Sequence, residues 1–139
     1  MNINFETARK EISRSLDYID GIFPGTQPVS LDYTNIQNIN ENYYVSLKYD
    51  GVRQMLYSKS NISVLFDRKY NYKQTNIIST EKLTILDGEE IDGLYIIFDC
   101  IVLNGTNIKS RTLTERIEYL KCFVQNHTTI TLNIKNFYP

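Results

Sequence analysis

The segment most suited to chemistry reads KYDGVR, residues 48–53. A lysine amine attacks only when it is neutral, and at an ordinary pKa near 10.4 roughly one in 2,500 is neutral at pH 7. Positive charge nearby lowers the pKa of a lysine, and Arg53 lies across a tight turn from Lys48. A guanidinium also offers forked donors to a phosphate, and Gly51 lets a ligand approach the backbone closely. The segment predicts covalent chemistry at Lys48, with a charged hairpin turn as the alternative.

Charged groups also follow two apolar runs further along the chain. ISVLFDRKYN carries Asp67 and Arg68, and LTILDGEEIDG carries Asp87, Gly88 and Glu89. We expect these groups at strand ends, because the connections between strands often hold ligand contacts. The carboxylate of Glu89 offers the oxygen donor that Mg²⁺ favours. A charged turn and an acidic hairpin are the respective alternatives.

Short β-rich segments from Tyr43 onward would position these groups. They read YYVSL, RQMLYS, ISVLF, LTIL and GLYIIFDCIVL, and turn residues separate them. This pattern predicts an antiparallel meander whose last and most apolar strand is central and covered on both faces. The alternating segment TITLNIKNFYP predicts one more strand after it.

Helices are predicted on both sides of these strands in the chain. Apolar residues from Phe5 to Ile19 recur at helical spacing, and Gly21 is a natural stop. In RTLTERIEYLKCFVQN, Thr112 and Glu115 have capping-box spacing. FPGTQPVSLDYTN holds two of the 3 prolines and predicts a fixed irregular loop. The predicted fold class is α+β.

Composition restricts the classes of protein that remain. The 139 residues are 42% hydrophobic and 22% charged, as in one soluble globular domain. No apolar run approaches the roughly 18 residues of a membrane span, and no signal peptide is apparent, so we expect an intracellular protein, cytoplasmic or nuclear. A net charge of −1 excludes a global positive field for long nucleic acids. Cys100 and Cys122 lie in apolar patterns that predict buried thiols.

The ordered segments KYDGVR, VLFDRKYN, LDGEEI and YIIFDCIVLNG resemble the first motifs of the covalent nucleotidyltransferases. This superfamily contains the mRNA capping enzymes and the ATP- or NAD-dependent polynucleotide ligases. FPGTQPVSL, LTERIEYL and IKNFY are similar to segments of mRNA guanylyltransferases in particular, and the resemblance runs from about Ile22 to Pro139. It implies an antiparallel-sheet nucleotidyltransferase domain of capping enzyme or ligase type, with one helix before the sheet and one after it.

The resemblance implies an mRNA guanylyltransferase that builds the 5′ cap of RNA. Lys48 would attack the α-phosphorus of GTP, expel pyrophosphate and hold GMP as a lysyl phosphoamide. Diphosphate-ended RNA would then accept the GMP. Mg²⁺ or Mn²⁺ would assist, with Glu89 as the metal ligand. Arg53 matches an arginine that contacts phosphate or ribose, and Arg68 matches one that contacts the sugar.

Further nucleotide-binding positions also follow from the resemblance. Asp87, Gly88 and Glu89 match the DGE element, whose carboxylate supports metal and ribose binding. Phe98 matches an aromatic residue that packs on the purine, with a plain core phenylalanine as the alternative. Asp50 matches an aspartate that would orient the lysine and its turn.

The later motifs of the family have no counterpart in residues 1–139. These are an EG-containing strand, a KxK strand and an OB-fold domain that closes over the site. We therefore expect the N-terminal portion of a nucleotidyltransferase domain, belonging to a longer enzyme, completed by a partner chain, or left as a remnant. An interrupted sheet also predicts exposed apolar surface and association. The alternative functions are an ATP-dependent ligase-like adenylyltransferase and a catalytically incomplete nucleotide-binding fragment or subunit. The composition fits an AT-rich viral or parasite genome.

Overall fold

A seven-stranded sheet packs against two helices in the computed structural model, which describes residues 5–16, 29–126 and 132–139. The helices are α1 (Phe5–Leu16) and α2 (Leu113–Asn126), and a short 3₁₀ helix spans Ile36–Asn38. The strands are β1 (Val52–Lys59), β2 (Ile62–Phe66), β3 (Tyr72–Thr75), β4 (Thr84–Ile91), β5 (Leu94–Leu103), β6 (Thr106–Asn107) and β7 (Leu132–Ile134). The predicted α+β class is confirmed.

The strands run in the order β3-β2-β1-β4-β5-β6, and every pair along this path is antiparallel. β7 is the exception, because it pairs with β5 in parallel, Tyr95 opposite Leu132. β1 lies inside the sheet, where Met55 is opposite Phe66 of β2 on one side and Asp87 of β4 on the other. The KYDGVR segment therefore leads directly into the middle of the sheet.

Each face of the sheet has its own buried cluster. The cluster under α1 consists of Phe5, Ala8, Ile12, Met55, Tyr57, Val64, Phe66, Ile85, Ile101 and Val102. The cluster under α2 consists of Leu56, Leu65, Ile78, Leu86, Tyr95, Ile97, Cys100, Ile108, Leu120 and Phe123. Neighbouring buried residues of β1 and β2 belong to opposite clusters, as alternation along a strand requires. In β5 the alternation is interrupted, because Ile101 and Val102 both belong to the cluster under α1, where the pairing with β4 shifts its register. β5 contributes to both clusters, so the prediction that this strand is covered on both faces is confirmed.

Charged groups attach α1 to β1 at the edge of its cluster. Glu11 accepts a hydrogen bond from the Tyr57 hydroxyl at 2.8 Å and from Lys59 Nζ at 2.5 Å. Burial opposes ionisation of Glu11, but the hydrogen bonds from Lys59 and Tyr57 outweigh it and lower its pKa below the ordinary 4.5. Ionised Glu11 therefore stabilises the fold above pH 4.5, and this contribution is lost as the pH falls through the lowered pKa.

We expect Glu11→Gln to lower the melting temperature at pH 7 by a few degrees, because the ionic hydrogen bond to Lys59 is lost. The difference from the unmodified protein should shrink as the pH falls below 4.5 and through the lowered pKa of Glu11, because the carboxylate becomes protonated. Thermal melts between pH 3 and pH 7 measure this, with Glu6→Gln on the exposed side of α1 as the control. An equal difference at both ends of the pH range would contradict the assignment.

Several predicted elements differ from the structure. Residues 43–47 form no strand, because within the described part of the chain only Tyr138 pairs with them, through a single bridge to Val45. β3 was not predicted, and the final strand ends at Ile134, before KNFYP. Cys122 is exposed, because it lies on the solvent side of α2, next to buried Phe123. The predicted end of the first helix and residues 22–28 fall outside the described residues. Residues 29–35, the rest of the predicted loop, belong to no helix or strand, as predicted.

Large apolar side chains are exposed along residues 29–52. They are Val29, Leu31, Tyr33, Ile36, Ile39, Tyr43, Tyr44, Val45, Leu47 and Val52. Exposed apolar surface was expected, and the association inferred from it stays a prediction. No helix in the described ranges is long and apolar enough to cross a membrane.

Candidate functional site

A cavity of about 560 Å³ lies at the end of the sheet where β1 begins. It is lined by Ser46, Lys48, Tyr49, Gly51, Arg53, Arg68, Glu89, Phe98, Asp99, Leu113, Lys135 and Phe137. Five of the residues predicted from the motifs are among them, namely Lys48, Arg53, Arg68, Glu89 and Phe98. Chain segments far apart in sequence therefore meet around one space large enough for a small-molecule ligand.

Lys48 lies on residues 46–51, which belong to no helix or strand. Its side chain is exposed and reaches the cavity. Arg68 approaches from the turn between β2 and β3 and is exposed as well. The two basic side chains are thus held by connecting segments, whereas Arg53 is held inside β1.

Arg53 is joined to a buried carboxylate behind the cavity. Its Nε lies 3.1 Å from Asp87 Oδ1, and its Nη2 lies 2.5 Å from Asp87 Oδ2. Burial raises the pKa of Asp87, and the hydrogen bonds from Arg53 oppose that shift. The Asp87 carboxylate offsets much of the positive charge of Arg53. Arg53 therefore contributes less positive potential at Lys48 than the sequence suggested. The pair fixes the guanidinium at the cavity wall.

Glu89 links β4 to the turn after Lys48. Its Oε2 accepts a hydrogen bond from the Gly51 backbone N–H at 3.3 Å, and its Oε1 lies 3.9 Å from Lys135 Nζ. In the described residues no group of three metal-binding side chains occurs. One carboxylate facing an open cavity nevertheless fits Mg²⁺, which usually binds through one or two carboxylates together with substrate phosphates and water.

Phe98 stands apart from both buried clusters and faces the cavity. The guanidinium carbon of Arg53 lies 5.5 Å from the centre of its ring, and Lys135 Nζ lies 5.8 Å from it. A half-buried ring on a cavity wall argues against a plain core role and offers an apolar surface to a flat ligand.

Three predicted positions do not line the cavity. Asp50 is exposed in the turn before β1. Asp87 and Gly88 are buried inside β4, and Glu89 follows them in the same strand, so the expectation that these residues sit at a strand end is wrong. Gly88 has a packing reason to be glycine, since a Cβ there would lie 2.4 Å from the Ile96 carbonyl oxygen.

Lys135 was not singled out from the sequence. The parallel pairing of β7 with β5 carries it to the cavity, and its backbone N–H donates to the Ile97 carbonyl at 2.7 Å. Its Nζ lies 5.6 Å from the centre of the Tyr49 ring. The lysine of IKNFY was the available signal, but only the strand pairing shows that it enters the site.

Asp99 is the second cavity residue that sequence reasoning missed. It follows Phe98 in β5, and its carboxylate accepts hydrogen bonds from Arg116 Nε at 2.7 Å and from Arg116 Nη2 at 3.3 Å. Arg116 belongs to α2, so this ion pair attaches the first turns of α2 to the strand that carries Phe98. The cavity therefore combines cationic groups, aromatic rings and carboxylates, which together suit a ligand with a flat base and phosphates.

The family model for "mRNA capping enzyme, catalytic domain" matches residues 3–136. The mRNA-capping enzyme subunit alpha of Schizosaccharomyces pombe is 34% identical over 137 residues, which cover 78% of this chain and 34% of that protein. The mRNA-capping enzyme of Caenorhabditis elegans is 31% identical over 71% of this chain and 19% of its own length. A prophage-derived DNA ligase-like protein of Bacillus subtilis is 26% identical over 66% of this chain. The chain spans about a third of the length of the Schizosaccharomyces pombe relative.

Proposed function

The chain belongs to the family of mRNA capping enzyme catalytic domains, and from this premise we propose that it is the nucleotide-binding portion of an mRNA guanylyltransferase. The observation that carries the proposal is the cavity, in which Lys48, Arg53 and Arg68 meet Glu89 and Phe98. Residues 1–139 correspond in this proposal to the N-terminal portion of the nucleotidyltransferase domain. An activity on newly made mRNA implies an intracellular protein, nuclear or cytoplasmic.

The proposed first step is a displacement at the α-phosphorus of GTP. The nitrogen of Lys48 forms a bond to phosphorus, the bond to the bridging oxygen breaks, pyrophosphate leaves and the amine loses a proton. Such a transfer depends on alignment and on neutralising phosphate charge. Arg53, fixed by Asp87, supplies hydrogen-bond donors at a set position. Arg68 supplies positive charge from the turn between β2 and β3.

The second step releases GMP to the acceptor. An oxygen of the terminal phosphate of diphosphate-ended RNA attacks the same phosphorus, the bond to the Lys48 nitrogen breaks, and that nitrogen takes up a proton and leaves as the amine. Mg²⁺ or Mn²⁺, held by Glu89 and the substrate phosphates, would neutralise phosphate charge when bound. Phe98 would pack against the purine, and Glu89 would also keep the Gly51 turn beside the nucleotide.

The experiment that tests the function is incubation of the purified chain with α-labelled GTP and Mg²⁺, followed by a denaturing gel. We expect an acid-labile labelled band with GTP and little or none with ATP. A band formed only from ATP would instead favour the ligase-like adenylyltransferase, for which the similarity to the Bacillus subtilis protein is the relevant observation. Reversible GTP binding without any covalent band would identify a nucleotide-binding module.

Lys135 is the group on the cavity wall best suited to distinguish the two purines. Its side chain is 11% exposed and lies beside the Phe98 ring, where the base would pack. A lysine amine only donates hydrogen bonds, and guanine offers the O6 acceptor where adenine offers an amino donor. We propose that Lys135 favours GTP for this reason.

We expect Lys135→Met to reduce the preference for GTP over ATP by about tenfold, because the length of the side chain is kept and the donor is lost. The ratio of labelling rates with the two nucleotides measures this. Lys121→Met on exposed α2 is the matched control and should leave the ratio unchanged. If Lys135→Met slows both nucleotides equally, Lys135 acts on phosphate or on folding and not on the base.

A further inference from the structure

The turn that carries Arg68 is closed by its own polar groups. Residues 67–71 join β2 to β3, and Asp67 Oδ1 accepts hydrogen bonds from the backbone N–H groups of Lys69 and Asn71 at 2.9 Å each. The backbone N–H of Tyr70 donates to the Asp67 carbonyl at 3.0 Å. These bonds fix the shape of the turn, but they do not fix its position relative to the cavity.

Tyr70 provides contacts that reach beyond the turn. Its ring stacks on Phe66 of β2, with centroids 5.3 Å apart and an angle of 5° between the planes. The same ring lies 6.2 Å from Phe5 of α1, and the guanidinium of Arg9 is centred 5.8 Å from it. Phe5 also stacks on Tyr72 at 4.0 Å. One ring of α1 therefore packs on residues at the turn and just after it.

The backbone at Tyr70 is in a conformation that tyrosine rarely adopts. Its φ is 61°, in the left-handed region where asparagine and glycine are favoured. The backbone conformation of the turn, taken alone, would therefore favour another residue type at position 70. The packing of the ring against Phe66, Phe5 and Arg9 offsets this unfavourable conformation.

We propose that α1 positions Arg68 for nucleotide binding by holding Tyr70, so that Tyr70 is a positioning residue that touches no substrate. The inference rests on the proposed function, because it assumes that Arg68 contacts the nucleotide. It assigns α1 a role at the site in addition to covering one face of the sheet.

The variant Tyr70→Asn separates this role from the local preference of the turn. Asparagine suits the positive φ better but removes the ring, so the two explanations predict opposite results. We expect faster amide hydrogen exchange across residues 67–71 and GTP binding weakened about fivefold. Tyr70→Phe keeps the ring and should bind GTP within about twofold of the unmodified protein. Phe5→Leu should loosen the turn in the same way, since it removes the contact from α1.

The coupling between Tyr70 and Arg68 is measured with a double variant. Arg68→Ala should weaken GTP binding about tenfold, and adding Tyr70→Asn should weaken it no further. Additive losses, or exchange in the turn that stays the same or slows in Tyr70→Asn, would overturn the proposal. If the unmodified protein bound no GTP, the proposed function would fail, and the hydrogen-exchange comparison would still decide whether α1 holds the turn.

Discussion

Replacing Lys48 with alanine is expected to abolish the labelled GMP adduct, with a loss of at least about a thousandfold. The reason is that the bond from nitrogen to phosphorus cannot form without the amine, whereas the rest of the cavity stays in place. Lys48 is exposed and belongs to no strand, so its removal should not unfold the protein. The acid-labile labelled band on a denaturing gel measures the result. A melting curve confirms that the variant is folded.

Two further variants make this result specific. Lys48→Arg keeps the positive charge but stays protonated, so it should also give no adduct while binding GTP. Lys10→Ala, on the exposed side of α1, should label normally. An adduct that persists in Lys48→Ala would show that another side chain is the nucleophile and would remove the basis of the proposed mechanism.

Replacing Gly88 with alanine is expected to give the largest loss of stability, about 3 kcal/mol. The added Cβ would lie 2.4 Å from the Ile96 carbonyl oxygen and 2.9 Å from Cζ of the Tyr95 ring. The carbonyl belongs to the backbone of β5 and can move only if the pairing of β4 with β5 is disturbed. Urea unfolding followed by circular dichroism measures the change in free energy.

Gly93→Ala is the matched control for this prediction. Gly93 has a φ of 80°, and a Cβ there would meet nothing within 4 Å, so the cost is conformational only. We expect about 1 kcal/mol for it. Because Gly88 has no positive φ, a loss at Gly88 that does not exceed the loss at Gly93 would contradict the close approach of β5.

Local patterns were sufficient for the elements that depend on neighbouring residues. The spacing of Thr112 and Glu115 predicted where α2 begins, and the Glu115 backbone N–H donates to Thr112 Oγ1 at 3.2 Å. The strands β1, β2 and β5 also follow their apolar runs closely. In each case the signal and the structure lie within the same few residues.

The same reasoning failed where the cause lies on another strand. The Asp-Gly pair at Asp87 reads as the end of a strand, yet β4 continues through it to Ile91. The glycine is required by the carbonyl of Ile96, and no pattern within LDGEEI reveals that contact. Likewise, YYVSL has the composition of a strand, but only Tyr138 pairs with it among the described residues.

The candidate site shows the same division. The order of the motifs identified Lys48, Arg53 and Arg68 among the residues that now line one cavity. It gave no reason to add Lys135, because that side chain arrives through a parallel pairing with β5. It also assigned Asp87 to the nucleotide, which stays a prediction, and it gave no sign that Asp87 binds Arg53 behind the cavity.

Lys48 lies outside the hydrogen-bonded strands of the sheet, so the two sides of the cavity differ in how easily they move. Arg53 and Glu89 are neighbours within paired strands and resist displacement, whereas no strand of the described residues pairs with residues 46–51, which the Gly51 N–H joins to the Glu89 side chain. Segments of this kind open at low free-energy cost, while paired strands open only with the fold. In the proposed mechanism, Lys48 would therefore follow the phosphorus through both transfers while Arg53 and Glu89 stay in place.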